Sequence, residues 1–340
     1  MTAIVSSLLA SGGWGLVVGW IIPTALNGAL FGLLVLPAWR YVPVLHGAAM
    51  ASNPTKALTL FVAAIVGGLA LSALQAPLYQ LLEGYTWPAR IRKWGIDRHV
   101  RRKKLAKLRL RLILLVRQEQ AEELTRKQAA SLARFWPDIR AACPNPVQDW
   151  QISACAEPLS RYPIDDKQIL PSLLGNAIRR IEEYGFDRYN LDVVTMWYAL
   201  TSAVPEQTRK DTSVSRAMVD FYICLLYGQI VVALAAVATL VAAFGHPAGP
   251  AVAAAACLLL PLLWYRLAVA GTDEWAAAVQ ALVDTGRQPL AESLGLSMPG
   301  SLDLERQMWR AVSRNARVAY SARARELDQF RLLRTRVRGT

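Results

Sequence analysis

Residues 90–116 read RIRKWGIDRHVRRKKLAKLRLRLILLV, and this stretch decides how the rest of the chain is understood. It carries eleven Lys and Arg against one acid, Asp97, and it directly follows a long apolar run. A basic block beside a membrane span is held on the cytoplasmic side during insertion, so it sets the orientation of the spans around it. Arg90, Arg92, Lys93, Arg101, Arg102, Lys103 and Lys104 are therefore expected to face anionic headgroups. A Lys/Arg cluster is also the electrostatic footprint of nucleic-acid binding. Position beside a span accounts for this one, and no recognition motif accompanies it, so nucleic acid is not an expected partner.

Composition agrees with a membrane protein. Of 340 residues, 54% are hydrophobic and 19% charged, with a mean hydropathy of +0.25. A soluble domain carries about 25% charged residues and spreads its apolar ones periodically. Here the apolar residues fall into blocks, which predicts an all-α, polytopic membrane fold. The net charge of +13 is unevenly placed: residues 83–216 hold 24 Lys and Arg against 16 Asp and Glu, and residues 266–340 hold 12 against 8. Outside them the charged residues are Arg40, Lys56 and Asp220. The amino terminus, MTAIVSSLLASGG, lacks the basic segment of a secretory signal, so the first apolar run is expected to be a retained span.

Four spans are predicted, at about 14–39, 57–82, 218–243 and 251–269, forming two hairpins. Residues 1–82 are the first hairpin and 217–271 the second; 83–216 and 272–340 are cytoplasmic, as are both termini, at a bacterial inner (plasma) membrane. Residues 40–56 form an external loop. The first span holds Pro23, Thr24 and Asn27, and its Gly15–Gly19 and Gly28–Gly32 pairs let another helix come close. Pro23 frees a backbone carbonyl that Thr24 or Asn27 can satisfy. In the second span Ser72 and Gln75, three apart, share a helical face. Asp220 and Gln229 are the polar members of the third. Asp220 stands near its cytoplasmic end, where it can pair with Arg216 four residues earlier. Pro23, Asn27, Ser72, Gln75 and Gln229 are thus the polar candidates inside the membrane, lining either a pathway or a helix seam.

Outside the membrane, Val100 to Trp136 lacks Gly and Pro and predicts a long helix, although the alternation in residues 108–116 also permits a strand. Six prolines make residues 137–171 loop-rich. Leu173, Leu174, Ile178 and Ile181 make one helical stripe; Val193, Met196, Trp197 and Leu200 make a second after Asp192, a fitting N-cap, so the two read as a helical hairpin. A helix from near Asp273 ends at a Pro-containing break, and Leu302 to Arg336 reads as an Arg-rich helix. That helix suits packing on the cytoplasmic domain or lying on anionic headgroups.

The string Leu170-Pro171-Ser172-Leu173-Leu174-Gly175-Asn176, then Arg179, Glu183, Tyr184, Arg188-Tyr189, Asp192 and Trp197, resembles a pattern in an uncharacterised family of bacterial four-span membrane proteins. It covers about a tenth of the chain. The resemblance implies architecture and no chemistry. Asn176, Arg179, Glu183, Arg188, Tyr189 and Asp192 could line a ligand pocket or form a polar network that fixes the hairpin.

Catalytic signatures are missing. There is no phosphate-binding G-x-x-x-x-G-K-[ST], no G-x-G-x-x-G after a strand, no G-x-S-x-G and no H-E-x-x-H. His46, His99 and His246 are scattered, and Cys143, Cys155, Cys224 and Cys257 contain no C-x-x-C pair. Cys143 and Cys155 could approach one another, but reduced thiols are expected in the cytosol. Asp165-Asp166 reads as a solvated turn. No enzyme, cofactor or metal site is expected. Two functions remain: a homo-oligomeric channel or pore controlled by the cytoplasmic domain, or a membrane-anchored scaffold or sensor that binds a cytoplasmic protein. A coupled transporter ranks third, because such proteins carry ionisable groups near the midplane.

Overall fold

A computed structural model of the chain describes residues 13–42, 46–50, 52–121, 125–135, 146–242, 248–318 and 322–331. These residues are overwhelmingly helical, with no strand among them beyond one isolated bridge between Leu296 and Arg331. Four helices are long and apolar enough to cross a membrane: α1 (Trp14–Leu34), α2 (Asn53–Ala73), α9 (Glu206–Ala242) and α10 (Ala248–Ser293).

Proline and small residues shape the first two. In α1 a π-helical turn, Val17–Ile21, precedes Pro23, which has no N–H to continue a regular ladder. The Thr24 hydroxyl takes the Trp20 carbonyl at 2.7 Å, and Asn27 Nδ2 takes that of Pro23 at 3.0 Å. The helix ends at Leu34, short of the expected Trp39, and a 3-10 turn, Leu36–Tyr41, follows with Pro37 at its start. The α2 helix begins four residues earlier than expected, because Ser52 caps it and Pro54 fits its first turn. It stops at Leu74, and a short helix, α3 (Gln75–Glu83), takes over. Pro77 is the cause: it cannot donate to the carbonyl of Ala73, so the ladder fails there.

The other two helices are longer than a bilayer requires. At 37 and 46 residues they extend about 55 Å and 69 Å, against a hydrocarbon core of about 30 Å. The helix expected near Asp273 is part of α10, which continues through Pro261 and Pro289. Gly271 lets α9 approach there, with Val219 Cγ2 3.4 Å from where a Cβ would stand. A small-residue core of Val232, Ala233, Ala236, Ala253, Ala254 and Cys257 with Val35 joins α9, α10 and the end of the first span. Leu33, Leu58, Phe61, Val66, Leu234, Val241, Leu258, Leu259 and Leu262 instead turn outward and stay exposed. Exposed apolar side chains in this number are compatible with a membrane-spanning bundle.

The chain divides into two compact units, Gln80–Asp187 and the remainder, Met1–Tyr79 with Arg188–Thr340. The first unit holds α4 (Ala89–Gln120), α5 (Arg126–Phe135), α6 (Asp149–Ser160) and most of α7 (Leu173–Tyr189). Residues 108–116 are helical, and Leu112, Ile113 and Val116 pack on Val147 with Ile152 and Cys155 of α6. The Pro-rich stretch therefore contains a helix, capped by reciprocal bonds between Gln148 and Gln151.

In the second unit α8 (Val193–Ala203), capped by Asp192, packs on α10 and on α11 (Leu302–Arg317). The α11 helix ends well before Arg336; a 3-10 segment, Ala322–Phe330, follows. Residues 332–340 and Cys143 lie outside the described residues.

Candidate functional site

Along one face of α9 stand Ala217, Asp220, Cys224 and Gly228, spaced at three and four so that they form a single ridge. Small residues let α1 come down on it. A Cβ on Gly19 would stand 3.0 Å from Asp220 Cβ and 3.4 Å from the Ala217 carbonyl, and one on Gly228 would stand 2.1 Å from Asn27 Nδ2. Gly68 of α2 meets the α1 backbone equally closely, at Ile21 Cα and the Trp20 carbonyl.

Asp220 is buried by this packing, 6% exposed. Its Oδ1 accepts from the Tyr79 hydroxyl at 2.5 Å and from Gln75 Nε2 at 3.1 Å. Both donors lie on α3, four residues apart and so on one face. The Trp20 indole adds a side-chain hydrogen bond from α1. The expected ion pair with Arg216 is replaced by these neutral donors, and the Arg216 guanidinium stands 5.8 Å from the Trp275 ring centroid. A carboxylate inside an apolar bundle, next to a broken helix, is the most chemically distinctive group in the protein.

The ridge continues as a polar seam. Thr24 Oγ1 and Cys224 Sγ are 3.3 Å apart, and both bond to the Trp20 carbonyl. Asn27 and Gln229 are about 95% buried, and their amide oxygens have no partner. Beyond them Trp39 Nε1 donates to Thr239 Oγ1 at 3.1 Å. Of the five polar residues expected inside the membrane, Gln75 joins Asp220, while Pro23 and Asn27 line the seam. Gln229 is buried beyond it on α9, and Ser72 is half-buried.

The six candidates expected on the cytoplasmic side form no single cluster. Tyr189 donates to Asp284 at 2.8 Å under the Arg287 guanidinium, 4.3 Å from its ring centroid. Arg188 offers its backbone carbonyl to Arg306. Asp192 receives the Thr195 amide and hydroxyl and Arg317 Nε at 2.6 Å. Burial raises its cost of ionisation, but these donors outweigh it and hold the carboxyl below the usual range. Asn190, in left-handed backbone at φ 59°, bonds Arg306 through both ends of its amide. In the unit of residues 80–187, Asn176 closes the turn before α7 by bonding Leu170 N, Leu170 O and Ser172 O. Arg179 is shared among Gln168, Glu182 and Glu183. Every one of these groups is engaged, which is how a structural staple behaves.

One basic residue departs from expectation. Arg90, Arg92, Lys93, Arg101, Arg102 and Lys104 are exposed, but Lys103 is 3% exposed. Its ammonium donates to the Pro163 and Ile164 carbonyls at 2.7 and 2.9 Å and pairs with Asp166 at 2.5 Å. Asp166 is therefore a counter-ion and not a free turn residue; the Lys103 bond holds its carboxyl below the ordinary range. One turn earlier on the same face His99 bonds the Tyr162 hydroxyl at 2.9 Å, and burial, then Arg102 and Arg98, push it down to about 4. Burial, then the Glu182 charge, pushes Glu83 up to about 7.

Sequence reading missed Tyr79, whose only signal is its position four residues after Gln75. It also missed Asp284, Arg287 and Glu305, which nothing local marks. Among the described residues no group of three or more His, Cys, Asp or Glu could hold a metal, and Cys155, Cys224 and Cys257 are free. No family model, curated protein or solved structure matches this chain.

Proposed function

We propose that the protein spans a plasma membrane four times, in two hairpins, and serves as a sensor or scaffold that presents its extramembrane helices to a cytoplasmic protein. One observation carries this reading: Asp220 lies on α9, which runs without a break out of the apolar bundle toward the segment that packs on α8 and α11. A change at the carboxylate thus has a rigid route to the surface. Asn27, Asp220, Gln229 and Thr239 of the apolar helices turn into the protomer's own packing, which favours this reading over a pore lined by them. The basic block supports a cytoplasmic position for the 80–187 unit and for both termini, with its exposed Lys and Arg toward anionic headgroups. On α8, Val194 and Tyr198 share one exposed face, 61% and 88% exposed, and are the docking residues.

The test is capture of the tagged full chain from native membranes. A protein should be recovered in fixed ratio, and Val194→Lys with Tyr198→Lys should lose it while the chain stays folded and inserted. Recovery of the chain alone, together with ion flux through reconstituted vesicles, would overturn the reading in favour of a channel. That second reading has its own observation. Gly15 and Gly28 have no atom within 4 Å of where a Cβ would stand, which leaves room on α1 for a helix of another copy. Mass determination in nanodiscs separates the two, since a pore from such helices needs a ring of several subunits.

A further inference from the structure

We infer that Asp220 is a proton-binding site, and that protonation weakens its bond from Tyr79 and lets α3 pivot about the break at Leu74. The inference rests on the sensor reading and names its stimulus: a proton arriving from the aqueous side on which Arg216 lies.

The bonding supports an ionised carboxylate in the conformation described. Tyr79 and Gln75 both donate to the same oxygen, and the Tyr79 bond, at 2.5 Å, has the length of a hydroxyl donating to a charged acceptor. The surroundings explain why a proton would matter here. From α1 the facing groups are Gly19 and Trp20; from α3 they are Gln75 and Tyr79; on α9 itself they are Arg216 and Cys224. Helix α10 meets α9 on another face, through Gly271 against Val219 and Tyr222. Arg216, occupied by the Trp275 ring, is the one cation in this set, so nothing replaces the donors if the carboxylate loses its charge.

The step balances simply. A water-borne proton forms an O–H bond on Asp220, using one carboxylate lone pair, and the net charge of the site rises by one. The acid then has its own hydrogen to donate, and the charge-assisted bond from Tyr79 becomes a weaker neutral one or reverses. Which partner moves is decided by packing. Asp220 Cβ lies so near Gly19 that a Cβ there would stand 3.0 Å from it, and Gly68 meets the α1 backbone from behind just as closely. The α3 helix has nine residues, begins at a break and carries both side-chain donors. One further bond ties it to α9, from the Tyr227 hydroxyl to the Leu78 carbonyl at 2.8 Å, and a pivot must turn about that point. Because α3 runs unbroken from Gln75 to Glu83, a pivot at its start moves the whole helix.

The experiment uses the full chain in lipid vesicles, with infrared difference spectra and hydrogen exchange, corrected for intrinsic rates, along a pH titration. A carboxylic-acid carbonyl band should grow in as pH falls and be lost in Asp220→Asn. Exchange in residues 75–83 should rise roughly tenfold along with it, the loss of about one charge-assisted hydrogen bond. Tyr79→Phe should keep the band but show the faster exchange at every pH, which also guards against Asp220→Asn failing to fold. Absence of an Asp220-dependent band would make the residue a fixed structural charge and overturn the proposal. A band that titrates while α3 exchange stays constant would overturn the pivot. Neither result touches partner capture, which tests the sensor reading separately.

Discussion

Arg287 Nη1 lies 2.6 and 2.8 Å from the two oxygens of the Glu305 carboxylate, joining α10 to α11 across 18 residues of chain. Trp309, fully buried, donates its indole to the same carboxylate at 3.2 Å. Removing the carboxylate leaves a guanidinium and an indole without their acceptor. Glu305→Ala should therefore destabilise the α8–α10–α11 packing by about 2–4 kcal/mol. The check is thermal unfolding, with protease cleavage reporting release of α11; Glu305→Gln should retain part of the stability. An unchanged melting temperature in the alanine variant would show that the pair is ornamental.

Lys103 makes a parallel case in the unit of residues 80–187. Lys103→Met keeps the aliphatic stem but strands the Pro163 and Ile164 carbonyls, at a cost of about 1–3 kcal/mol for each stranded group. Faster hydrogen exchange at 163–168 is the expected signature. Asp166 has a carboxyl held below its ordinary value, so its contribution is present above that value and fades as pH falls through the lowered one. Asp166→Asn should flatten this acid dependence.

Glu83 and His99 give the same unit two pH dependences of opposite sense. Glu83 is raised from 4.5 to about 7, so the stability tied to its neutral form is complete below 4.5 and is lost as pH rises through about 7. His99 is lowered from 6.5 to about 4, so its contribution is complete above 6.5 and is lost as pH falls toward about 4. The two windows overlap between 4.5 and 6.5, where the opposite slopes cancel, so melting curves should be nearly flat there. Glu83→Gln should leave stability rising with pH across that window, through His99 alone.

On α4 the exposed Ile91, Trp94 and Leu105 alternate with Arg98, Arg101 and Arg102, and Arg98 stacks over Trp94 at 5.2 Å. This is the composition of a helix face lying at headgroup level. Substituting Arg98, Arg101 and Arg102 by Gln should reduce the number of anionic lipids retained in native mass spectra. Lys103→Gln should leave that number unchanged, because Lys103 points inward. Equal losses from both would refute the assignment of the face.

The four apolar helices were legible because composition alone separates a span from a soluble helix. Gln75 and Asp220 were each visible as polar residues in apolar runs, but 145 residues separate them, and no local rule pairs them. The break at Leu74 was hidden for a related reason: Pro77 announces a disturbance without fixing which carbonyl or which turn gives way. Lys103 could not be told from its basic neighbours by type. Its position could have been found by period, since Gly95, His99 and Lys103 recur at four and are the buried stripe of the first half of α4. A search for hydrophobic spacing passes over such a stripe because none of the three is apolar. The continuity of α10 is hidden in the sequence because the apolar run ends at Val269 and charge returns at Asp273, which reads as a boundary between two helices, and Pro289 reads as a stop; the helix runs through both.

That continuity makes α10 a lever. Measured from Ala248, a tilt of about 5° in a helix of about 69 Å displaces the Ser293 end by about 6 Å, more than one helical turn. Repacking of the size that small-residue contacts permit, well under one side chain's width at the apolar end, would be magnified where Asp284 and Arg287 grip Tyr189 and Glu305.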